Sequence, residues 1–271
     1  MDEMTRVKAA LERWDCRIDG AEQRGGMSVV VPVRSRSGVP LMLKLLDPDA
    51  AAREAIALRA FPDDAAVRCH GHAADLGALL LERLTPVSLV GADPDELIMV
   101  QADLARRLAV PDPGGIDRLA ETDGWLHQLD DLHRLGPDLL GARAIGSARE
   151  TIARLGRDPI TTTLTHGDLH AANVHRDAEG RWRVLDPSPW VGTIAFESHT
   201  VIVERPRLGE LVAAGPVELG RRLELFAEVA GVDRESAVRL CQARAVSSAL
   251  AERSRAPGLA AGLVWMAEAL T

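Results

Sequence analysis

Residues 166–186 read HGDLHAANVHRDAEGRWRVLD, and this stretch constrains the fold more than any other part of the chain. It contains two His-x-Asp triplets, which end at Asp168 and Asp177, and a third aspartate, Asp186, after an apolar run. The pattern predicts a loop, a strand, a turn and a second strand, at 166–172, 173–176, 177–180 and 181–185. Asp186 then lies at the open end of a hairpin.

Two interpretations of this stretch do not involve phosphate chemistry. His166, His170 and His175 could bind zinc, since the first two have the i, i+4 spacing of HExxH helices. Gly167 and the absence of an adjacent glutamate disfavour that interpretation. The other is a loop in which His and Asp side chains bond to their own backbone. An isolated HGD triplet would favour this loop.

The spacing of the whole set favours phosphoryl transfer instead. Asp168 stands five residues before Asn173, which is the D-x-x-x-x-N spacing of a kinase catalytic loop. Such a reaction needs a carboxylate to orient and deprotonate the acceptor hydroxyl, and Mg²⁺ held by amide and carboxylate oxygens. A hairpin brings Asn173 and Asp186 together, while Asp168 faces the acceptor. The stretch thus predicts Asp168 as the base and Asn173 and Asp186 as magnesium ligands.

The second triplet, His-Arg-Asp at 175–177, spells a protein-kinase motif but lacks its context. Trp182, rather than a metal-binding asparagine, lies five residues beyond Asp177, which itself falls in the predicted turn. We therefore expect Asp168→Ala to abolish transfer and Asp177→Ala to be nearly silent.

A lysine in the first half of the chain has a matching glutamate. Lys44 lies between apolar neighbours in a predicted strand at 39–46, and Glu54 follows ten residues later in a predicted helix at 47–61. In kinases a strand lysine holds nucleotide phosphates and a helix glutamate fixes the lysine. An edge-strand lysine and a solvated Arg53–Glu54 pair are the alternatives.

A glycine-containing turn precedes the first strand of the hairpin that carries Lys44. Gly25, Gly26 and Ser28 stand just before a valine-rich strand at 27–35. Backbone N–H groups in such a turn could face a phosphate. A plain turn is the alternative, since Gly-Gly before a strand is common.

The order of predicted elements indicates two lobes. After a first helix at 3–16 come the hairpin, the helix with Glu54 and a second hairpin at 67–84. A passage rich in Pro, Gly and Asp follows, and helices dominate from about residue 94, at 95–110, 121–136 and 142–156. We place the boundary so that residues 1–87 form a nucleotide-binding lobe and residues 88–271 a catalytic and substrate-binding lobe.

Composition excludes several classes of function. The formal net charge is −8, whereas a nucleic-acid surface needs clustered Lys and Arg. The three cysteines, Cys16, Cys69 and Cys241, are widely spaced and indicate free thiols in a reducing compartment. No apolar run reaches the length of about 18 residues that a membrane span needs. We expect a cytoplasmic monomer that binds neither nucleic acid nor membrane.

Three passages resemble one family of small-molecule kinases. THGDLHAAN at 165–173 looks like the HGDLHPxN signature of the aminoglycoside phosphotransferases. LDPSPWVGTIAFE at 185–197 resembles a passage typical of the streptomycin 6-phosphotransferase and hydroxyurea-kinase branch. Residues 243–270 are similar in character to the final helices of that branch. The resemblance spans nearly the full chain, with the first passage the most specific.

The resemblance implies an α+β, bilobal protein-kinase-like fold. Its small N-terminal lobe has an antiparallel sheet and one main helix, and its larger C-terminal lobe is mostly helical. ATP and Mg²⁺ are the implied cofactors, with Lys44 and Glu54 at the ATP phosphates and with His166 and His170 structural. The strand that includes Glu82 and ends near Leu84 would lead into the hinge that receives adenine.

The resemblance also implies an acceptor, which is a small cationic antibiotic such as a streptomycin-like aminoglycoside. Hydroxyurea, a basic peptide antibiotic, a sugar or another metabolite are the alternatives, as is a non-catalytic nucleotide-binding protein. Ser188 stands where the branch commonly has Lys, and Thr193-Ile194 replaces Asp-Pro. Glu197 stands in for an aspartate, near the acceptor side or its support. Glu197, Glu204 and Glu210 could meet a cationic acceptor, although solvated helix positions are the simpler interpretation.

Overall fold

The N-terminal part of the chain folds into an antiparallel sheet. The structure, a computed structural model, describes residues 2–25, 28–121, 123–157 and 162–271. The first six strands, β1 to β6, are Cys16–Ile18, Gln23–Arg24, Val29–Ser35, Pro40–Leu45, Cys69–Ala73 and Ala78–Glu82. Their order is β1-β3-β4-β6-β5, and β2 also pairs with β3. Because β4 is paired on both sides, its Lys44 lies in the middle of the sheet, opposite Val30 and Leu79.

Alternating burial explains why β3 and β4 pair in this register. Val29, Val31 and Val33 are buried on one face of β3, and each pairs with a buried leucine of β4. Val7 and Ala10 of the first helix, α1 (Glu3–Arg13), belong to the same apolar cluster. This burial fixes the register, because a slip of one residue would expose the whole row of valines.

The helix that carries Glu54 is α2, Pro48–Ala60. Asp47 caps its first turn by accepting from the N–H groups of Asp49 and Ala50, and Pro48 occupies the first helical position. Ala51, Ala55 and Leu58 are buried in the same cluster as the core of the C-terminal helices. The helix therefore connects the sheet to the rest of the molecule, with Glu54 aimed at β4.

Helices make up most of the chain after β6. They are α3 to α10, at Pro94–Leu108, Asp123–Leu135, Ala142–Leu155, Ser198–Ile202, Leu208–Ala214, Pro216–Ala230, Arg234–Glu252 and Pro257–Ala269. Helix α9 is buried along most of its length and packs against α4, α5, α6, α8 and α10. Its central place explains its many alanines, which allow several helices to approach it closely.

Two short antiparallel strand pairs interrupt the helices and support the site. Strands β7 and β10, Thr163–Thr165 and Trp190–Gly192, pair with each other, as do β8 and β9, Val174–Arg176 and Trp182–Val184. The β8–β9 hairpin is bonded to the segment after β6, since the N–H of Leu89 donates to Val174 O. On its other side, the N–H of Val67 donates to Val184 O. The hairpin is thus held between the sheet and the helices.

The predicted elements agree with the structure except at the margins. The first helix ends at Arg13, three residues earlier than predicted, and β1 and β2 have no counterpart in the prediction. The turn predicted near Ala74-Asp75 is a short 3-10 helix that ends at Gly77, whose φ is +54°. Within the described ranges, none of the helices has the length and apolarity needed to cross a bilayer. Cys16, Cys69 and Cys241 are free thiols.

Candidate active site

The loop at 166–173 is tightly hydrogen-bonded to itself. The N–H of His170 donates to Asp168 O at 2.9 Å, and the N–H of Asn173 donates to His170 O at 2.9 Å. The side-chain Nδ2 of Asn173 donates to Asp168 O, also at 2.9 Å. These bonds turn the backbone so that Asp168, the predicted base, lies in a rigid loop with a side chain that is 48% exposed.

His166 is a buried structural member of this loop. Its Nε2 lies 3.0 Å from Leu185 O, and its Nδ1 accepts from the N–H of Asp168 at 3.3 Å. Nδ1 must therefore carry no proton, which assigns the neutral Nε2–H tautomer. Burial lowers the pKa of His166 to about 4, which keeps it neutral. Across the described ranges, no cluster of three or more His, Cys, Asp and Glu could hold a metal, so the zinc interpretation has no support.

The carboxylate of Asp168 is ionised at neutral pH. Burial acts to raise its pKa, but the hydrogen bond from His170, 3.5 Å away, and the charges of His170 and Arg244 outweigh it. The pKa of Asp168 thus lies below its usual range. The same bond raises the pKa of His170. An ionised carboxylate that is half exposed can accept a hydroxyl hydrogen bond, as a general base must.

Lys44 contacts its predicted partner Glu54 and also Asp186, a contact that the sequence did not predict. Its Nζ lies 2.6 Å from Glu54 Oε2 and 2.9 Å from Asp186 Oδ1. The side chains of Lys44 and Glu54 are each 5% exposed, whereas Asp186 is 41% exposed. Burial is the largest cause that raises the pKa of Glu54, to about 7, against the opposing charge of Lys44. The alternative of an edge lysine and a solvated Arg53–Glu54 pair is wrong, because Lys44 is central and Arg53 pairs with Asp117.

Asn173 and Asp186 meet at the open end of the β8–β9 hairpin. The N–H of Leu185 donates to Asn173 O at 3.0 Å, which holds the two positions side by side. Asp186 has a φ of +57°, a conformation uncommon for a residue other than glycine. Because Nδ2 of Asn173 is bonded within the loop, its Oδ1 and the carboxylate of Asp186 are the oxygens that remain. Amide and carboxylate oxygens are the ligands that Mg²⁺ prefers, so this pair fits the ion.

Gly167 is held from three sides. Its N–H donates to Oε1 of Glu197 at 2.7 Å, and its carbonyl accepts from Arg244 at 3.2 Å. Its φ is +79°, and a Cβ at this position would lie 1.9 Å from Ser188 O. Only glycine fits there, which explains the Gly between the histidine and the catalytic aspartate.

Glu197 is part of this support and not a solvated residue. It is 1% exposed, its other oxygen accepts from Thr200, and burial raises its pKa. The expectation that Glu197 is a solvated helix position is therefore wrong, whereas its role as support of the acceptor side agrees with these contacts. Glu204 is partly buried, and Glu210 is exposed and pairs with Arg207.

A cavity of about 430 Å³ opens beside Lys44 and Asp186. Its lining also includes Leu84, Met42 and His175. It lies between the sheet and the β8–β9 hairpin, where the strand that ends at Glu82 leads out of the sheet. The shape and the charged end suit a nucleotide, with its base near Leu84 and its phosphates near Lys44.

Of the other predicted nucleotide contacts, one lies away from the cavity beside Lys44. Ser28 lines a separate cavity of about 280 Å³ together with Gly25 and Asp47. Gly26 lies outside the described residues. Glu82 lines the nucleotide cavity, but its carboxylate accepts from Arg183 at 3.0 Å and from the N–H of Arg68 at 3.2 Å. The side chain of Glu82 is therefore engaged by the protein.

Asp177 lies in the hairpin turn, where its N–H donates to Arg181 O. Its buried carboxylate accepts from Arg181 at 2.8 Å and from Arg183 at 3.2 Å. Arg183 is 1% exposed and also bonds to Ala66 O and Glu82. Asp177 thus has a structural place, and its removal should lower stability because it would leave a buried arginine short of a partner. The expectation that its removal leaves transfer nearly unchanged stays a prediction.

A second cavity has a volume of about 400 Å³ and shares no lining residue with the cavity beside Lys44. Trp125, Trp190 and Phe196 form aromatic walls, and Arg244 and Glu121 are among its polar residues. Trp190 O accepts from Thr165 and Arg244 donates to Gly167 O, so the cavity directly adjoins the loop that carries Asp168. Sequence reasoning missed Arg244, for which the only signal is an arginine within the apolar run ARAVSSAL.

The comparisons with known proteins agree with this geometry. The model of a family described as aminoglycoside/hydroxyurea antibiotic resistance kinase matches residues 13–255. A hydroxyurea phosphotransferase of Kitasatospora aureofaciens is 33% identical over 254 residues, covering 91% of this chain and 72% of that protein. A streptomycin 6-kinase of Streptomyces glaucescens is 30% identical over 251 residues, covering 90% of this chain and 81% of that protein.

A solved structure shows the same fold. The apoenzyme of macrolide 2'-phosphotransferase MphH from Brachybacterium faecium superposes with a TM-score of 0.59 at 18% identity, covering 98% of this chain and 97% of that chain. The fold and the site together define a small-molecule kinase with the bilobal, protein-kinase-like α+β fold. Within that class, the chain belongs to the aminoglycoside/hydroxyurea antibiotic resistance kinase family. The predicted fold and family are confirmed.

Proposed function

We propose that this kinase transfers the γ-phosphoryl group of ATP to a hydroxyl of a streptomycin-like aminoglycoside and thereby inactivates the antibiotic. The observation that carries this proposal is the chain of hydrogen bonds that brings Lys44, Asp186, Asn173 and Asp168 together. The streptomycin 6-kinase relative supports the choice of acceptor. Residues 1–87 would serve as the nucleotide-binding lobe and residues 88–271 as the catalytic and acceptor-binding lobe.

Each residue of the site has its own role in the proposed reaction. Asp168 orients the acceptor hydroxyl and takes its proton as the oxygen bonds to the γ-phosphorus. The bond from that phosphorus to the bridging oxygen breaks, and ADP leaves. Lys44, fixed by Glu54, lies where it can contact the ATP phosphates. Asn173 and Asp186 would hold Mg²⁺, which neutralises phosphate charge when bound.

The second cavity is the acceptor site in this proposal. Its residues Trp190 and Arg244 bond to Thr165 and Gly167, whereas Lys44 and Asp186 line the other cavity, so an acceptor and ATP would reach Asp168 from two separate cavities. Aromatic walls suit the faces of sugar and cyclitol rings. We propose a monomer as the active form. The free thiols support a reducing, cytoplasmic location.

Hydroxyurea is the second candidate acceptor. The acceptor cavity has no clear excess of acidic groups. Asp117 pairs with Arg53, and two other lining residues, Arg118 and Arg244, are cationic. Such a lining favours an uncharged acceptor more than a polycation. The hydroxyurea phosphotransferase relative supports the same choice.

The test is phosphorylation of a panel of acceptors by purified protein with Mg·ATP, read by ADP release and product mass. The panel contains streptomycin, a deoxystreptamine aminoglycoside, hydroxyurea and a basic peptide antibiotic. We expect one phosphate to be added to streptomycin by the wild type and none by Asp168→Ala, which should still bind ATP. Undiminished turnover in Asp168→Ala would remove Asp168 as the base. ATP binding without transfer to any acceptor would favour the non-catalytic alternative.

A further inference from the structure

Arg244 links the catalytic loop to the acceptor cavity. It lies on α9, far from the loop in sequence, and donates to Gly167 O at 3.2 Å and to Phe196 O at 3.0 Å. Its guanidinium carbon lies 4.1 Å from the centre of the Phe196 ring. Two carbonyl groups and one aromatic face thus fix its position, and its side chain also lines the cavity beside Trp190.

The charge of Arg244 is not neutralised by a direct ion pair. Within the described ranges no carboxylate forms a salt bridge with it, although Glu197 and Asp168 are near enough to favour its charged form. Burial acts against the charge and lowers the pKa of Arg244. A cation kept in such a place stabilises the fold poorly, because removing it from water is costly. Its position beside the base and the cavity therefore needs another explanation.

The geometry leaves hydrogen-bond donors for a ligand. A guanidinium has five N–H donors, and two of its nitrogens donate to protein carbonyls. Glu197 accepts from the N–H of Gly167, and Arg244 donates to its carbonyl oxygen. Gly167, the residue before Asp168, is therefore fixed at both of its backbone polar groups. The planar guanidinium can bond to these carbonyls and to an oxygen in the cavity at the same time, which a lysine ammonium cannot do as well.

We infer that Arg244 is the acceptor-binding and positioning residue of this kinase. Through Gly167 it holds Asp168 in place, and its remaining N–H groups donate to an oxygen next to the hydroxyl that is phosphorylated. The acceptor class is then a small molecule in which a hydroxyl, ether or carbonyl oxygen neighbours the reactive hydroxyl. This inference rests on the proposed function, and both proposed acceptors belong to that class.

The experiment compares Arg244→Gln, Arg244→Lys and the control Arg239→Gln. Arg239 lies on the same helix, pairs with Glu235 and lies outside both cavities. With the acceptor that the wild type phosphorylates, Arg244→Gln should lower kcat about 100-fold and raise the KM for the acceptor about tenfold. The KM for ATP should stay within about twofold, since Arg244 does not line the nucleotide cavity.

Arg244→Lys should recover part of kcat, with a loss of about tenfold, because it keeps the charge without the fork of donors. Thermal melting of each variant gives the folded fraction by which rates are divided. The inference would be overturned if kcat and the acceptor KM of Arg244→Gln equal those of Arg239→Gln. If Arg244→Gln does not fold, wild-type values in Arg244→Lys would overturn it in the same way.

Failure of the proposed function gives a different pattern. In that case the wild type phosphorylates no acceptor of the panel, and hydrolysis of Mg·ATP, with water as acceptor, becomes the readout. Arg244→Gln should then hydrolyse ATP about tenfold more slowly than Arg239→Gln, because Asp168 is no longer held. Equal hydrolysis rates would overturn the role of Arg244 independently of the acceptor.

Discussion

Gly167→Ala tests whether the backbone before Asp168 must have its observed conformation. The added methyl group would lie 1.9 Å from Ser188 O, whereas ordinary contacts begin at 3.4 Å. The loop or the carbonyl must therefore move by about 1.5 Å, the difference of these two distances. Ser188 cannot move freely, because its N–H donates to His166 O and Trp190 pairs with Thr165. The displacement is thus transmitted to Asp168.

The expected cost has two parts. Alanine in a left-handed conformation costs about 1–2 kcal/mol, and overpacking adds about 1–3 kcal/mol. The free energy of unfolding should fall by about 2–5 kcal/mol, the range these two contributions span. A misplacement of about 1 Å at a reacting group can cost about 100-fold in rate, so kcat should fall at least that much.

Gly180→Ala is a matched control. Gly180 lies in the turn between β8 and β9 with a φ of +80°, but a Cβ there would have no atom within 4 Å. It should lose only about 1–2 kcal/mol and keep its kcat. The assay is chemical denaturation of both variants together with initial rates of phosphoryl transfer. Equal losses of stability and of kcat in the two variants would refute the reasoning, because the contact with Ser188 would then contribute nothing.

Three further predictions concern the site and its support. Burial lowers the pKa of His166 to about 4, so this side chain binds a proton more readily in the unfolded chain than in the folded one. The free energy of unfolding should therefore fall as the pH is lowered from 6.5 to 4. This loss of unfolding free energy is at most about 3 kcal/mol, and melts across this pH range should show that His166→Gln removes it. If the unfolding free energy of His166→Gln depends on pH as steeply as that of the wild type, His166 is not held neutral in the folded protein. Asp177→Ala should destabilise by about 3 kcal/mol in denaturant because Arg183 loses a buried partner, with kcat per folded molecule unchanged. A silent Asp177→Ala would argue against the buried network. Lys44→Ala should lower kcat/KM for ATP about 100-fold while leaving the acceptor KM unchanged, and a normal value for ATP would exclude Lys44 from phosphate binding.

Local spacing made the catalytic residues predictable. Asp168, Asn173 and Asp186 lie within one loop and hairpin, so a pattern of turn and strand residues is enough to bring them together. Lys44 and Glu54 are ten residues apart on a strand and the following helix, which is also local. The contact of Lys44 with Asp186 spans 142 positions, and nothing in the sequence predicted it.

The support of the loop was not predictable in the same way. Arg244 is 77 positions from Gly167, and nothing near it in sequence indicates that contact. Glu197 ends the short 3-10 helix Ile194–Glu197, and α3, α8 and α9, which are not its neighbours in the chain, pack against that segment, so its burial cannot be read from local sequence. Strands β1 and β2 are short and mostly exposed, so they lack the alternation by which strands are recognised.

In the proposed function, the residues that line the acceptor cavity are separate from those that handle ATP. The cavity is lined by parts of 117–128, by Trp190 and Phe196, and by one face of α9, while Lys44, Glu54, Asn173 and Asp186 lie elsewhere. Substitutions at positions such as Gln128 or Ser248 can therefore alter which molecule is accepted without disturbing phosphoryl transfer. Because the two sets of residues are separate, mutation and selection would be able to change the acceptor, and with it the resistance phenotype, while the residues that transfer the phosphoryl group stay the same.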